Sequence, residues 1–468
     1  VVALGATLSF WALSRPYAWA LLVLHPLVVF TAGMVCHRRL VASRPPAERL
    51  TEFYLCLAAG GVAGGAFNAI VAPVVFPEIV EYPMAVLAAC LVRGGAPAAN
   101  ERRARVLDVV LPAALVLVTL GLQRLVTGSG WQDRGQILLV VAVIPCLLAV
   151  PLVLRPRRFA LGLAALMTIA WIQGTTRGTV RHRERTFFGV HRVIQRDGPV
   201  FTLQDSQGRE QRFTIPFHLL YHGATRHGVQ ALDPNLRPLP TAYFHRTGPL
   251  GQVFAALGTG GRMRRVAVIG AGAGTIAAYG EPGRSITFYE IDPAVVRIAG
   301  DPDLFTFVRD SRGEVSFVVG DGRLEIGAAP DAGYDMIVVD AFSSDAIPVH
   351  LITREALALY LRKLRPDGVI VLHVTNQNLD LVPVVDALLT DAGLQGLVQD
   401  NEIASAEELI QGKDVSQWAV IARDRATLAP LTSDGRWHPL PVRPGRPADP
   451  RYLWTDDYSS LFSVIESW

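Results

Sequence analysis

The sequence predicts an α-helical transmembrane domain joined to an α/β domain on a parallel sheet, with a small β-rich region between them. Three observations carry this. Residues 1–173 contain apolar runs close to the roughly 20 residues that a spanning helix needs. Residues 174–468 read as ordinary globular chain. From residue 265 onward, strand-like and helix-like segments alternate, the pattern of a parallel sheet covered by helices.

The composition agrees with such a division. The chain has 468 residues, of which 18% are charged, below the roughly 25% usual for soluble proteins. Its mean hydropathy is +0.31. The net charge of +3 is small, and the arginines cluster at the ends of apolar runs. That distribution marks membrane topology rather than a nucleic-acid surface. Cys36, Cys56, Cys90 and Cys146 all lie in the apolar half, without the spacing of a metal site or a disulfide framework. The chain begins at Val1 rather than Met, so upstream residues are expected, and no cleavable signal peptide reads out.

In the membrane half (1–173), segments 17–36, 52–76, 106–126 and 136–154 are long enough to span, and 1–13 reads as the end of another helix. Runs 82–92 and 158–173 are shorter. The segment Gly60-Gly61-Val62-Ala63-Gly64-Gly65 lies inside a helix and would let another helix approach closely. Basic groups fall at 37–50, 93–105, 155–158 and 177–185. Arg and Lys favour the cytoplasmic side. All four groups share one side only if 158–173 lies along the interface or enters without crossing, and this is the expectation. It places the protein in the inner membrane of a bacterial cell, multi-pass, with a cytoplasmic catalytic domain.

Residues 174–264 form the small β-rich region. Phe187-Phe188-Gly189-Val190 and Val200-Phe201-Thr202-Leu203 are β-prone, and Asp205-Ser206-Gln207-Gly208 signals a turn. His222 and His227 lack an accompanying carboxylate or cysteine, so no metal is expected there.

Residues 265–468 carry the candidate site. Strand 265–269 runs into Gly270-Ala271-Gly272-Ala273-Gly274-Thr275, a turn that lets backbone approach a ligand and opens a helix with free N–H groups. Strand 286–290 ends in Glu290, placed to accept from ribose hydroxyls. Strand 315–319 leads to Gly320-Asp321-Gly322, where Asp321 can accept from an adenine amino group. Strand 334–340 ends in Asp340. Ligands bind at the carboxyl ends of strands in such sheets, so Gly270, Gly272, Gly274, Glu290, Asp321, Gly322 and Asp340 form one candidate nucleoside site. His350 and Thr353 read as the start of a helix over 353–365.

These motifs resemble the polyamine aminopropyltransferases, the spermidine synthases, over roughly 185–425. The fuller pattern is similar to membrane-fused spermidine synthase-like proteins of bacteria. Its marks are Leu50-Thr51-Glu52-Phe53-Tyr54, Glu81-Tyr82-Pro83, the stretch from His222 to Gly228, the stretch from Asp340 to Pro348, and Trp454-Thr455-Asp456-Asp457-Tyr458. The resemblance implies a Rossmann-like sheet of the class I methyltransferase type. It implies S-adenosylmethionine or its decarboxylated form as a substrate, an amine such as putrescine as the acceptor, methylthioadenosine as a product, and no metal. A lipid bilayer is the expected surrounding, nucleic acid is not an expected partner, and a homodimer is one assembly the resemblance allows. Carried over by position, Asp340 orients and deprotonates the amine, Tyr221 lines the amine site and His222 lies beside it. Asp345, His227, Asp456, Asp457 and Tyr458 are weaker substrate-side candidates.

Two departures stand out. The soluble enzymes carry an aspartate where this chain has Ala273, and that acid would repel the carboxylate of intact S-adenosylmethionine. Two like charges about 4 Å apart cost about 4 kcal/mol at an effective dielectric near 20. Without it, intact S-adenosylmethionine becomes admissible, and a lyase, cyclase or other transferase is an alternative. The second departure is that the usual acids three apart are here Asp340 and Asp345, five apart. A nucleoside-binding transporter or sensor is the reading from another class, and Asp340 argues against it because binding alone needs no acid at the reaction centre. A dinucleotide dehydrogenase is disfavoured by Gly320-Asp321-Gly322 and by Thr275.

Overall fold

In the computed structural model the described residues are 18–94, 100–129, 131, 134–175, 178–204, 210–223, 225–258, 261–341, 348–376, 378–403, 405–433, 435–440 and 448–465. The run 1–13, the turn signal 205–208 and Asp345 fall outside them. The chain divides into two compact units, Val1–Gly178 and Thr179–Trp468.

The first unit is helical: α1 Ala18–Ala42, α2 Ala47–Val75, α3 Glu81–Val92, α4 Glu101–Ser129, α5 Gln136–Leu154 and α6 Pro156–Thr175. Three of these, α2, α4 and α5, are long and apolar enough to cross a membrane. Val62, Val74, Leu117 and Leu161 stand exposed, an outward face suited to lipid rather than water. The helix α2 widens into a π-turn at Phe67–Val71 and α5 into another at Leu139–Val143. Each sits just before a proline, Pro73 or Pro145, whose missing N–H breaks the regular ladder.

Polar contacts gather the arginine-rich segments at one end of this unit. Arg39 donates to the Val92 carbonyl at 3.0 Å and Arg93 to the Val153 carbonyl. Arg158 pairs with buried Asp108 at 3.0 Å. The segment 158–173 forms a longer helix than its apolar run suggests, though not one of the three long and apolar enough to cross a membrane. It belongs to a 20-residue helix, about 30 Å long at 1.5 Å per residue. Leu163, Leu166, Met167 and Ala170 bury one face of it. It runs from the Arg158–Asp108 pair to Trp171, which donates to Glu78 between α2 and α3. Internal packing, invisible to a count of consecutive apolar residues, stabilises it as a full-length helix. The chain therefore leaves this unit at the end opposite Arg39, Arg93 and Arg158.

The second unit opens with an antiparallel sheet in the order β1-β2-β5-β6, formed by Thr179–Thr186, Gly189–Asp197, Pro216–His222 and Thr225–Ala231. A separate hairpin joins β3 Phe201–Gln204 and β4 Glu210–Phe213. Phe187 and Phe188 form the β1–β2 turn rather than a strand. The polar segment 179–186 is the edge strand instead, and charge on an edge discourages pairing with other chains.

The main sheet follows α7 Pro249–Leu257. Its strands are β7 Arg265–Ile269, β8 Ser285–Glu290, β9 Glu314–Val319, β10 Tyr334–Val339, β11 Leu364–His373, β12 Gln395–Asn401, β13 Ser416–Ala422 and β14 His438–Pro439. The order is β14-β12-β13-β11-β10-β7-β8-β9. Strands β9, β8, β7, β10 and β11, neighbours in that order, are parallel, and β13 inserts antiparallel between β11 and β12. This is the methyltransferase-type sheet. Val266, Val268, Met336 and Val338 pack into one core, and Ala267, Ile269, Ile337 and Val339 into the other. Burial on both faces explains why these strands are continuously apolar rather than alternating. Helices α8 Pro293–Gly300, α9 Gly322–Ala328, α10 Arg354–Lys363 and α11 Val382–Ala392 complete the scaffold.

The acidic-aromatic tail packs. Trp454 and Val464 are buried in the core that contains α10 and α11, and the Trp454 carbonyl accepts from the Arg354 N–H at 2.9 Å. Replacing a buried Trp by Ala typically costs about 3–5 kcal/mol. Trp454→Ala is therefore expected to lower the denaturant midpoint of the full-length protein in detergent, followed by circular dichroism. A midpoint equal to that of the parent would show that the tail is not part of the core.

Candidate active site

Between β7 and β10 the strand order reverses, and the loops after neighbouring strands diverge into a crevice. Each candidate acid leaves a strand at this edge for a local reason. The loop after β7 turns through positive φ at Gly270 (+95°) and Gly272 (+51°), a region costly for residues with a Cβ. A Cβ on Gly270 would also lie 2.6 Å from the Asp340 carbonyl. The expected helix after this loop is only a five-residue 3-10 turn, Thr275–Tyr279. Gly280 and the following Glu281-Pro282-Gly283 stop it early.

The crevice holds a cavity of about 250 Å³. Of the expected residues, Gly270, Gly272, Glu290, Asp321, Gly322, Asp340, His222 and His227 line it. Tyr221 and Gly274 do not. Tyr221 precedes His222 on β5 and packs with Phe217 and Leu219, because alternate strand residues face opposite sides. The tyrosine facing the cavity beside Asp340 is Tyr243. Asp456, Asp457 and Tyr458 line a neighbouring hollow with Arg323 and Thr353. Asp456 there accepts from the two terminal guanidinium nitrogens of Arg323, at 2.6 and 2.7 Å, and from the Thr353 hydroxyl at 2.8 Å. Its carboxyl is held below the usual range, first by the Arg323 hydrogen bond. Thr353 also caps α10, as expected. His350, expected only to begin that helix, lines the cavity and reaches Asp321 at 3.2 Å.

Glu290 accepts the N–H groups of Ala271 and Asp292, at 2.9 and 3.0 Å. Burial pushes its carboxyl up, and those two N–H groups oppose the rise. Asp321 caps α9 with one oxygen, accepting from the N–H groups of Arg323 and Leu324, while its other oxygen meets His350. Asp340 is buried, which pushes its carboxyl up; His373, whose Nδ1 lies 2.5 Å away, opposes the rise. The apolar Ile291 borders the same cavity next to Glu290. Carboxylates at neighbouring strand ends, an apolar wall and a glycine cradle make a cavity whose chemistry could accept a nucleoside.

Histidines form the wall that comes from the small sheet. His191 binds Asp292 at 2.7 Å, and Thr186 donates to the same oxygen at 2.6 Å. Burial pushes the Asp292 carboxyl up, but these bonds and the Ala294 N–H more than offset it, and the net shift is downward. The His222 ring stacks on His191 at 4.8 Å and lies 5.6 Å from His227. His227 is lowered to about 4, first by burial and then by neighbouring histidines, so it is neutral at pH 7. His191, Asp292, Tyr243 and His373 were not singled out from sequence as site residues. His373 had the same strand-end signal as Glu290, whereas His191 meets a partner 101 residues away and had none.

Ala273 faces away from the cavity, in a buried cluster with Val193, Leu220 and Ile298. The backbone of Gly228 packs so closely on it that a Cβ there has no room. The loop therefore presents no acid at this position.

No family model matches the chain. Among curated proteins, a stretch of 115 residues is 37% identical to a polyamine aminopropyltransferase of Vibrio vulnificus (strain CMCP6). Over that stretch the chain is similar to this aminopropyltransferase. The match covers 24% of this chain and 37% of that relative, so it spans little more than a third of the relative's length. Similar solved structures include a probable spermidine synthase from Corynebacterium glutamicum ATCC 13032, with 16% identity and a TM-score of 0.38. That match covers 57% of this chain and 91% of the other. Spermidine synthase from Thermotoga maritima is similar at 13% identity and a TM-score of 0.34, over 61% of this chain and 82% of the other.

Two outcomes follow. Gly270→Ala is expected to abolish methylthioadenosine binding measured by calorimetry, because the new methyl enters the Asp340 carbonyl; retained affinity would show that the cradle is not used. For His227 the neutral form is favoured on folding, so its contribution is complete above pH 6.5 and is lost as pH falls towards about 4. His227→Gln is expected to make unfolding less sensitive to acid over that window than in the parent.

Proposed function

We propose that this chain is a membrane-bound aminopropyltransferase, using decarboxylated S-adenosylmethionine and a diamine such as putrescine and releasing methylthioadenosine. The observation that carries the reading is the charge of the cavity. Glu290, Asp292, Asp321 and Asp340 line it, with no lysine or arginine among the described lining residues. Such a wall attracts a sulfonium and a protonated amine together. Glu290 would hold the ribose hydroxyls, Asp321 with His350 the adenine edge, and Ile291 its face. The sulfonium supplies an activated methylene and a neutral leaving group. Asp340, at the switch point, orients the amine and takes its proton. Holding both reactants in line supplies much of the rate enhancement.

A second reading is turnover of intact S-adenosylmethionine, which the sequence admits because Ala273 stands where an acid would repel the substrate carboxylate; since Ala273 is buried away from the cavity, the structure does not favour this reading over the first. The deciding assay uses the purified protein in detergent with product detection by mass spectrometry. Decarboxylated S-adenosylmethionine with putrescine is expected to yield spermidine and methylthioadenosine, and Asp340→Asn to lower the rate by about 10²-fold or more. Glu290→Gln is expected mainly to raise KM for the nucleoside. Methylthioadenosine formed from intact S-adenosylmethionine without amine would instead establish a lyase or cyclase.

We place the helical unit in the bacterial inner membrane and the catalytic unit in the cytoplasm, where sulfonium nucleosides and diamines are made. Because α6 carries the chain away from the arginine-rich end, the bias of arginine towards the cytoplasm pulls against this assignment. The substrate argument outweighs it here. A C-terminal reporter that is active only in the cytoplasm is expected to be active; a silent one would reverse the orientation and undercut the substrate assignment.

A further inference from the structure

We propose that His373 is the positioning residue for Asp340, donating its Nδ1–H to the carboxylate and holding it as the base for the attacking amine. The inference rests on the aminopropyltransferase reading. Sheet register creates the pair. Val339 of β10 stands beside Leu372 of β11, so the residues that follow, Asp340 and His373, emerge side by side. His373 in turn pairs across the ladder with Trp418 of β13. The imidazole stacks on that indole at 4.4 Å and 14°, and Tyr243 closes the other side at 4.5 Å and 31°. Pinned between two aromatic rings, its Nδ1 lies 2.5 Å from the Asp340 carboxylate. An ionised carboxylate only accepts, so Nδ1 carries the hydrogen.

The pair answers a specific difficulty. A base at this place must be buried to meet the reacting atoms, yet burial favours its protonated, useless form. The donated hydrogen bond opposes that tendency. In the step, the acceptor ammonium gives one proton to an Asp340 oxygen. The freed lone pair forms the C–N bond to the methylene next to sulfur. The C–S bond breaks with its electron pair going to sulfur, and the sulfonium leaves as a neutral thioether. The product amine carries the positive charge, and Asp340 returns its proton to solvent. Other titratable groups face this pair: the Tyr243 hydroxyl, the Arg226–Asp414 ion pair close to Tyr243, and His227. These groups are retained in every variant below, and the influence on Asp340 that opposes its burial comes from His373, so a change restored by His373→Asn reports on the pair.

The test uses the full-length protein in detergent as parent, His373→Ala and His373→Asn, since an Asn amide can donate where Nδ1–H did. Two profiles are recorded against pH: the transfer rate with putrescine, and the affinity for decarboxylated S-adenosylmethionine without amine. His373→Ala is expected to lower kcat by about 10- to 100-fold with little change in KM. The acid limb of both profiles should move to higher pH, since activity and cation binding are lost as pH falls through a carboxyl pKa that is now higher. His373→Asn should restore most of the limb's position. A parent that binds the sulfonium but transfers nothing, with the binding limb still shifted in His373→Ala, would sink the aminopropyltransferase reading and the base role while confirming that His373 holds Asp340 ionised. Profiles of folded His373→Ala or His373→Asn superimposable on those of the parent would overturn the inference and leave His373 as core filling between Tyr243 and Trp418.

Discussion

The close approach of Gly270 to Asp340 is the contact on which the site depends. These residues end two neighbouring parallel strands on either side of the point where the strand order reverses. The missing side chain at Gly270 lets the Asp340 backbone come where a Cβ would collide. The two loops then part and open the cavity between them. Everything else in the cavity is placed relative to that contact. Glu290 arrives from β8, Asp321 from the start of α9, and the histidine wall from the small sheet.

Burial at this edge creates an electrostatic problem that the fold resolves locally. Each carboxylate is supplied with donors: Glu290 with two backbone N–H groups, Asp321 with a helix N-terminus and His350, Asp292 with His191 and Thr186, and Asp340 with His373. Buried charge is tolerated where it is hydrogen-bonded. The donors differ in kind, and the consequences differ with them. Asp292 is pulled into its ionised form, whereas Glu290 and Asp340 remain raised. The site thus combines one carboxyl held below its usual range with two that burial holds above it.

Much of this architecture was legible in the sequence because it is local. Gly270, Glu290, Asp321 and Asp340 each sit at the end of an apolar run, and strand-end position alone brought them together. His373 obeyed the same rule at the end of β11. Long-range register hid what remained. Tyr221 and Tyr243 cannot be told apart without knowing which face of β5 is turned to the cavity. The His191–Asp292 bond joins different sheets. Asp456 read as a substrate-side acid, yet it holds Arg323 and Thr353 in place, and that partnership spans more than a hundred residues. In the helical unit, counting apolar residues underestimated α6, since its stability comes from a packed face and a buried Arg158–Asp108 pair rather than from hydropathy.

We propose that the strand ends hold an S-adenosyl-type nucleoside with its sulfur turned towards Asp340. The decisive experiment is a structure of the full-length protein with methylthioadenosine bound. Ribose hydroxyls on Glu290, the adenine edge at Asp321 and His350, and the thioether sulfur facing Asp340 with room for an amine between them are expected. A nucleoside bound outside this cavity, or seated in it with the sulfur turned away from Asp340, would contradict it.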